Sequence, residues 1–310
     1  MRDDTIICLS ASGATAAVSR AGAELQSWRV EGCELIWQGD PAHWSQRAPV
    51  LFPVMGESAG GQVQIEGRPY PMPRHGFARD MTFGLVERSE AAARFRLIAS
   101  AVTRAHYPFD FALDVIAELG PDRLQMTFEV TNDDPREMPY AIGFHPAYWP
   151  LCDRRREGYV IEFEAQEFPE VPNITPEGLM QATTRRLPFD GRRLLLEPAL
   201  FESGALVLRN APSRSLRFVS PTGAALEYSA DRFPHFAVWT KPSAPFICIE
   251  AWTGEPDLAG FQGDLLDRPS IRLLARGAST RVLQCPVLGS RDARLCRPEW
   301  ALRGPNIVYR

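Results

Sequence analysis

Residues 124–131 read LQMTFEVT, an alternation without a break. Leu124, Met126, Phe128 and Val130 fall on one side of an extended chain, and Gln125, Thr127, Glu129 and Thr131 on the other. A side-chain period of two with one apolar face predicts a β-strand packed on one side only. Turn-forming runs bracket it, LGPDRL at 119–124 and TNDDPREM at 131–138, so its neighbours should be antiparallel strands on short connections.

The same signature recurs along the chain. FRLIA (95–99), FALDVIAEL (111–119), ALVLR (205–209), LRFV (216–219), ALEYS (225–229), FAVWT (236–240), FICIEAW (246–252), IRLLA (271–275) and RVLQC (281–285) all read as strands. No apolar stripe of helical period is sustained, and 27 prolines are scattered through every region, which argues against long helices. With no linker, composition shift or repeat, the expected fold is all-β: one antiparallel β-sandwich over 1–285. Residues 286–310 lose the alternation and are expected as an irregular C-terminal extension.

At 310 residues, 45% of them hydrophobic and 17 of them Phe, the chain can fill a large core. A net charge of −4 and a longest basic cluster, Arg154 to Arg156, without interleaved aromatics exclude a nucleic-acid stripe; that cluster reads as a solvated loop. MRDDTIICLS has acids where a signal peptide carries basic residues, and no run approaches the ~20 apolar residues of a membrane span. A soluble, cytoplasmic protein without a membrane or nucleic-acid partner is expected. Six cysteines, at 8, 33, 152, 248, 285 and 296, show no CxxC pair, so a zinc ribbon is excluded and reduced thiols are expected.

Local rules fail in three places, and such failures tend to mark functional sites. YPMPRHGFARD (70–80) crowds Arg74, His75, Gly76 and Arg79 behind two prolines. AIGFHPAYWP (141–150) sets His145 among aromatic rings, where it either packs or moves a proton. ICIEAWTGEPD (247–257) places Glu250 in an apolar strand end, and a buried carboxylate is costly unless it is paired or used; Arg79 is one candidate counter-ion. His43, His106 and His235 lack such a context and read as structural or surface residues.

These interruptions, together with RAPVLFPVMG (47–56), occur in the order found in a known family. The sequence resembles the aldose 1-epimerase (galactose mutarotase-like) family, in its bacterial branch typified by RAPVLFPV, HGFARD, HPAY/F and CIEPWTG..D. The resemblance covers about residues 5–285, with YPFDFAL (107–113) and VWTKPSAPF (238–246) agreeing between the motifs. It implies a galactose mutarotase-like supersandwich with a sugar site on a concave sheet face, and His145 as the catalytic acid. Glu57 stands where relatives carry arginine, Ala251 replaces a proline, and the sugar-binding aspartate has only Asp231 as a weak substitute.

The chemistry expected of such a site is ring opening of an aldose. Glu250 would take the C1 hydroxyl proton and His145 would protonate the ring oxygen, each favouring the other's charged form. His75 and Arg79 would hold sugar oxygens or else be ordinary turn residues, and Trp252, Phe144 and Tyr148 read first as packing residues, with an apolar platform for the sugar as their alternative role. No cofactor and no metal ligand set is expected, since the two-histidine, one-carboxylate alternative (His75, His145, Glu250) lacks the HxH spacing. A non-catalytic sugar-binding module stays open as the rival, a glycosidase lacks a paired carboxylate, and no feature selects an oligomeric state or the sugar.

Overall fold

The expected strands form, and they assemble into two main antiparallel sheets. The computed structural model describes residues 5–149, 157–241 and 243–289. The larger sheet has nine strands, in the spatial order Arg193–Leu195, Val160–Phe163, Ser215–Val219, Ala225–Asp231, Ser279–Gly289, Leu124–Asn132, Phe111–Leu119, Ala92–Ile98 and Gly84–Arg88. The second has six. Leu206–Leu208, His235–Trp239, Ile247–Trp252, Gly143–Phe144 and Val50–Leu51 run in order, and Ala147–Tyr148 also pairs with Ile247–Trp252. Among the described residues the one α-helical segment is the single turn Ala101–Arg104, capped by Ser100.

Alternation decides which face is buried. Leu124, Met126, Phe128 and Val130 have no solvent exposure, whereas Gln125, Glu129 and Thr131 are part-exposed. The inner face of the large sheet packs on one face of the six-stranded sheet: Phe128 meets Phe144 at 5.5 Å between ring centres and Tyr228 meets Phe236 at 6.4 Å. Each such buried large apolar side chain contributes roughly 1.5–3 kcal/mol relative to exposure. One polar residue crosses this interior. Gln284, with no exposure, accepts a hydrogen bond from the Tyr228 hydroxyl and donates one to the Ala251 carbonyl at 3.4 Å.

The outer face of the large sheet is polar. Asp114 lies in register with Arg96 and Glu129 and accepts hydrogen bonds from both Arg94 and Arg96, at 2.8–3.1 Å. This is a cross-strand charge ladder of the kind that fixes register on a solvated face.

One boundary and one sheet differ from the sequence reading. The strand Ser279–Gly289 runs past the expected domain edge at 285, because Val282, Gln284, Pro286 and Leu288 continue the buried alternation; residues 290–310 of the expected extension, like the arginine cluster at 154–156, lie outside the described residues. A four-stranded N-terminal sheet, Ile6–Ala11, Ala14–Ser19, Leu25–Val30 and Cys33–Glu34, was not among the expected strands. Its first strand buries only Ile7 and Leu9 on one side, a short signal that small alanines in the second strand dilute. Among the described residues, no helix is long and apolar enough to cross a membrane.

Candidate functional site

The strand Ile247–Trp252 lies inside the six-stranded sheet, and its alternation divides its residues between two environments. Ile247, Ile249 and Ala251 enter the core between the sheets, while Trp252 and Cys248 join two smaller apolar clusters on the opposite face. Cys248, Glu250 and Trp252 therefore share that second face, opposite Trp239, Ala237 and His235 of the neighbouring strand. On the other flank Gly143 pairs with Trp252 and Ala147 with Cys248, leaving His145 in the gap between two short strands. A Cβ on Gly143 would stand 2.9 Å from the Trp252 ring and 2.7 Å from the Met55 sulfur, so only glycine lets the indole lie against this strand.

Register thus delivers the histidine to the carboxylate. His145 Nε2 is 3.3 Å from Glu250 Oε1, and the Trp252 indole N–H donates to Glu250 Oε2 at 3.0 Å. No arginine is Glu250's partner among the described residues. The His145 ring is boxed by aromatic rings, with Trp44 at 5.0 Å, Trp239 at 5.8 Å and the edge of His75 at 5.5 Å.

His75 arrives on a sharply bent loop. It adopts φ +65° and is followed by Gly76 at +74°, where a Cβ would sit 2.0 Å from the Phe52 carbonyl oxygen. The bend closes a reciprocal pair: the His75 amide donates to the Gly56 carbonyl at 2.7 Å, and the Gly56 amide donates to His75 Nδ1 at 3.1 Å. Nδ1 is therefore an acceptor, which assigns the proton of the neutral ring to Nε2. The Arg79 guanidinium is mostly buried and its charge is felt by both His75 and His145. Arg79 donates to Gln46 at 3.4 Å, but its buried Nε has no hydrogen-bond partner among the described residues.

Burial dominates the electrostatics. It pushes the His145 imidazole down to about 3, with the Arg79 charge acting in the same direction. Burial raises the Glu250 carboxyl well above the usual carboxylate range, against the opposing Trp252 hydrogen bond. His75 is likewise held well below an ordinary histidine, by burial and then by His145 and Arg79. Burial thus disfavours the charged form of each member, in the opposite sense to the mutual stabilisation of charged forms expected from the sequence.

Other expectations are sorted by position. Phe144 and Tyr148 point into the core between the sheets, so Trp252 alone of the three proposed platforms faces the site. Asp231 is exposed on the larger sheet beside Arg232 and plays no part here. Glu57 binds Arg74 at 3.0 Å, so the anion at that position neutralises a cation of the same loop region. Trp44 and Trp239 were missed; the only cue was their place beside HWSQRAP and VWTKP. A hollow of about 570 Å³ lies elsewhere, lined by Gln62, Asp257, Phe261 and Arg268 among others, and neither His145 nor Glu250 borders it. The converging titratable groups, not the volume, mark the site. One metal-capable donor set stands out among the described residues: atoms of His145, Cys248 and Glu250 all lie within 4.8 Å of one another.

The description of the aldose 1-epimerase family, as a sequence model, matches residues 5–263. The chain belongs to the aldose 1-epimerase family. Its relatives include the chromosomal Protein LacX of Lactococcus lactis subsp. lactis, 32% identical over 253 residues that cover 78% of this chain and 85% of LacX. Among solved structures, a galactose mutarotase-like protein from Lactobacillus casei superposes with a TM-score of 0.86 at 31% identity, covering 92% of this chain and all of that one. A galactose 1-epimerase from Lactobacillus acidophilus shares the aldose 1-epimerase fold at a TM-score of 0.66, with 15% identity over 90% of this chain and 92% of its own. The galactose mutarotase-like β-sandwich expected from the sequence is the fold of this family member.

Proposed function

We propose that the protein is a cofactor-independent aldose 1-epimerase that interconverts the α and β anomers of a hexose or related sugar. The observation that carries this reading is the 3.3 Å contact between His145 Nε2 and Glu250 Oε1. Anomerisation acts on two oxygens bonded to the same carbon, the C1 hydroxyl and the ring oxygen, so its acid and base must stand side by side.

The step balances with these two groups. The pair's proton passes to His145, leaving Glu250 as the carboxylate. Glu250 takes the C1 hydroxyl proton, the C1–O5 electrons move to O5, and O5 receives the proton from His145. A C1 aldehyde results, rotation about C1–C2 exposes its other face, and closure runs the same transfers in reverse. The substrate and two side chains account for every proton and electron, so the step calls for no cofactor.

His75 would present Nε2–H, and Arg79 its Nε–H, which makes no hydrogen bond among the described residues, as donors to the ring oxygen and neighbouring hydroxyls. Trp252 would lie under the sugar ring while orienting Glu250 through its indole N–H. A non-catalytic sugar-binding protein is the second reading, favoured by the near-complete burial of Glu250, at 1% exposure.

Anomer exchange followed by NMR separates the two, using α-glucose, α-galactose and aldose 6-phosphates as substrates. An epimerase raises the exchange rate of at least one sugar in proportion to protein concentration. Spontaneous rates throughout, with sugar bound, would establish the binding protein instead.

A further inference from the structure

Cys248 is the one fully buried cysteine among the described residues, the ring-opening chemistry leaves it unused, and the sheet places it beside both catalytic candidates. It precedes Glu250 by one strand repeat and so shares its face, and its cross-strand partner Ala147 lies two residues from His145. Donor atoms of His145, Cys248 and Glu250 lie within 4.8 Å of one another, and two of them, on His145 and Glu250, are already 3.3 Å apart. All three side chains are buried, and His145 Nδ1 and Glu250 Oε1 have no hydrogen-bond partner among the described residues.

We propose that His145, Cys248 and Glu250 form a binding site for a thiophilic divalent cation of the zinc class, and that an ion seated there switches the acid/base pair off. The second half rests on the epimerase reading; the first does not.

The donors select the ion. Thiolate, imidazole and carboxylate suit zinc-class metals, whereas calcium and magnesium seek shells of oxygen. Zinc–sulfur and zinc–nitrogen bonds of about 2.3 and 2.0 Å put tetrahedral donors about 3.5 Å apart, so the trio closes on an ion through small side-chain rotations. Charge fits as well. A divalent cation with one thiolate, one carboxylate and a neutral imidazole sums to zero, which suits the apolar surroundings of Trp37, Ala147, Ala244 and Phe246 around Cys248. The thiol gives up its proton on binding. The ion would then occupy the nitrogen and oxygen lone pairs that proton transfer needs.

Cobalt(II) is the probe for binding, added to the full-length, chelator-treated protein. One equivalent should bind, with a thiolate-to-cobalt absorption band that Zn²⁺ removes and that Cys248→Ala and Cys248→Ser both lack. X-ray absorption of the zinc-loaded wild type should show one sulfur with nitrogen or oxygen neighbours. This measurement needs no variant to fold. Zn²⁺ should slow wild-type anomer exchange at least 10-fold, reversibly with EDTA, and leave folded Cys248→Ala unaffected. The site is refuted by a zinc shell without sulfur, or by an undiminished cobalt band in Cys248→Ala. Equal zinc sensitivity of wild type and Cys248→Ala refutes the switch. If metal-free wild type leaves every sugar at its spontaneous rate, the epimerase reading fails while the cobalt and X-ray results still decide the site.

Discussion

His145 and Glu250 touch, Nε2 to Oε1 at 3.3 Å, although one sits in the gap between two short strands and the other inside a distant strand of the chain. At that distance the ionisation of one bears directly on the other, so the two are tested together.

Replacing either member should stop the chemistry. Glu250→Gln and His145→Asn are each expected to lower kcat for anomer exchange by about 10²- to 10⁴-fold, with small changes in KM. Glu250→Gln should also make the fold more stable. Burial raises the folded pKa of Glu250, so its stabilising protonated form is complete below about pH 4.5 and is lost as pH rises. At pH 7 the carboxyl therefore costs stability that glutamine does not. The variant should melt higher by about 2 °C or more at pH 7, with the gain vanishing near pH 4. A lower melting point at pH 7 would contradict this account of the site.

The pH profile of kcat/KM should lack the usual histidine limb. Activity needs the pair to carry one proton, and a second proton enters only near the depressed His145 value of about 3. The rate constant should accordingly show no acid fall down to about pH 5, where an ordinary imidazole would be almost fully charged. Its alkaline limb follows the raised Glu250 carboxyl. An acid limb centred near 6.5 would show that the imidazole titrates as if exposed.

Gly76→Ala tests the bent loop. The position needs φ +74°, and a Cβ would lie 2.0 Å from the Phe52 carbonyl oxygen, an atom of backbone that cannot rotate away. A loss of about 2 kcal/mol or more in urea unfolding is expected, from the left-handed backbone and the clash together. KM should rise too, since His75 loses its place over Gly56. An unchanged urea midpoint would mean that the loop adapts freely.

Asp114→Ala tests the outer face. Burial raises the Asp114 carboxyl, but hydrogen bonds from Arg96 and Arg94 outweigh it and hold the group below the usual range. The stability it supplies is present above the unfolded value of about 3.9 and is lost as pH falls through the lower folded one. Because Arg94 and Arg96 are partly exposed, solvent screens the ladder, and a cost of roughly 1–3 kcal/mol is expected at pH 7. The difference from wild type should shrink below about pH 4, read from urea midpoints at two pH values.

Sequence legibility followed the range of the physics involved. FALDVIAEL was readable as a strand because alternation is local, and it forms Phe111–Leu119 without a shift at either end. The hairpin from Ile6 to Ser19 escaped because alanines on its buried face, Ala14 and Ala16, carry little apolar contrast. Glu250 was legible as an anomaly, but its depressed ionisation was not, since desolvation depends on what the folded chain stacks around it. Trp44 escaped for the same reason: nothing near HWSQ in the chain reveals that its ring will cover His145.

The amide of Gln284 carries a last consequence. It is a polar peg through an oily interior, held at one end by Tyr228 and at the other by the carbonyl of Ala251, the residue after Glu250. Sliding one layer over the other would strand its donors and acceptors without water, at a cost of about 1–3 kcal/mol for each. The carboxylate is thereby anchored from behind, and the back wall of the molecule sets the aim of its front.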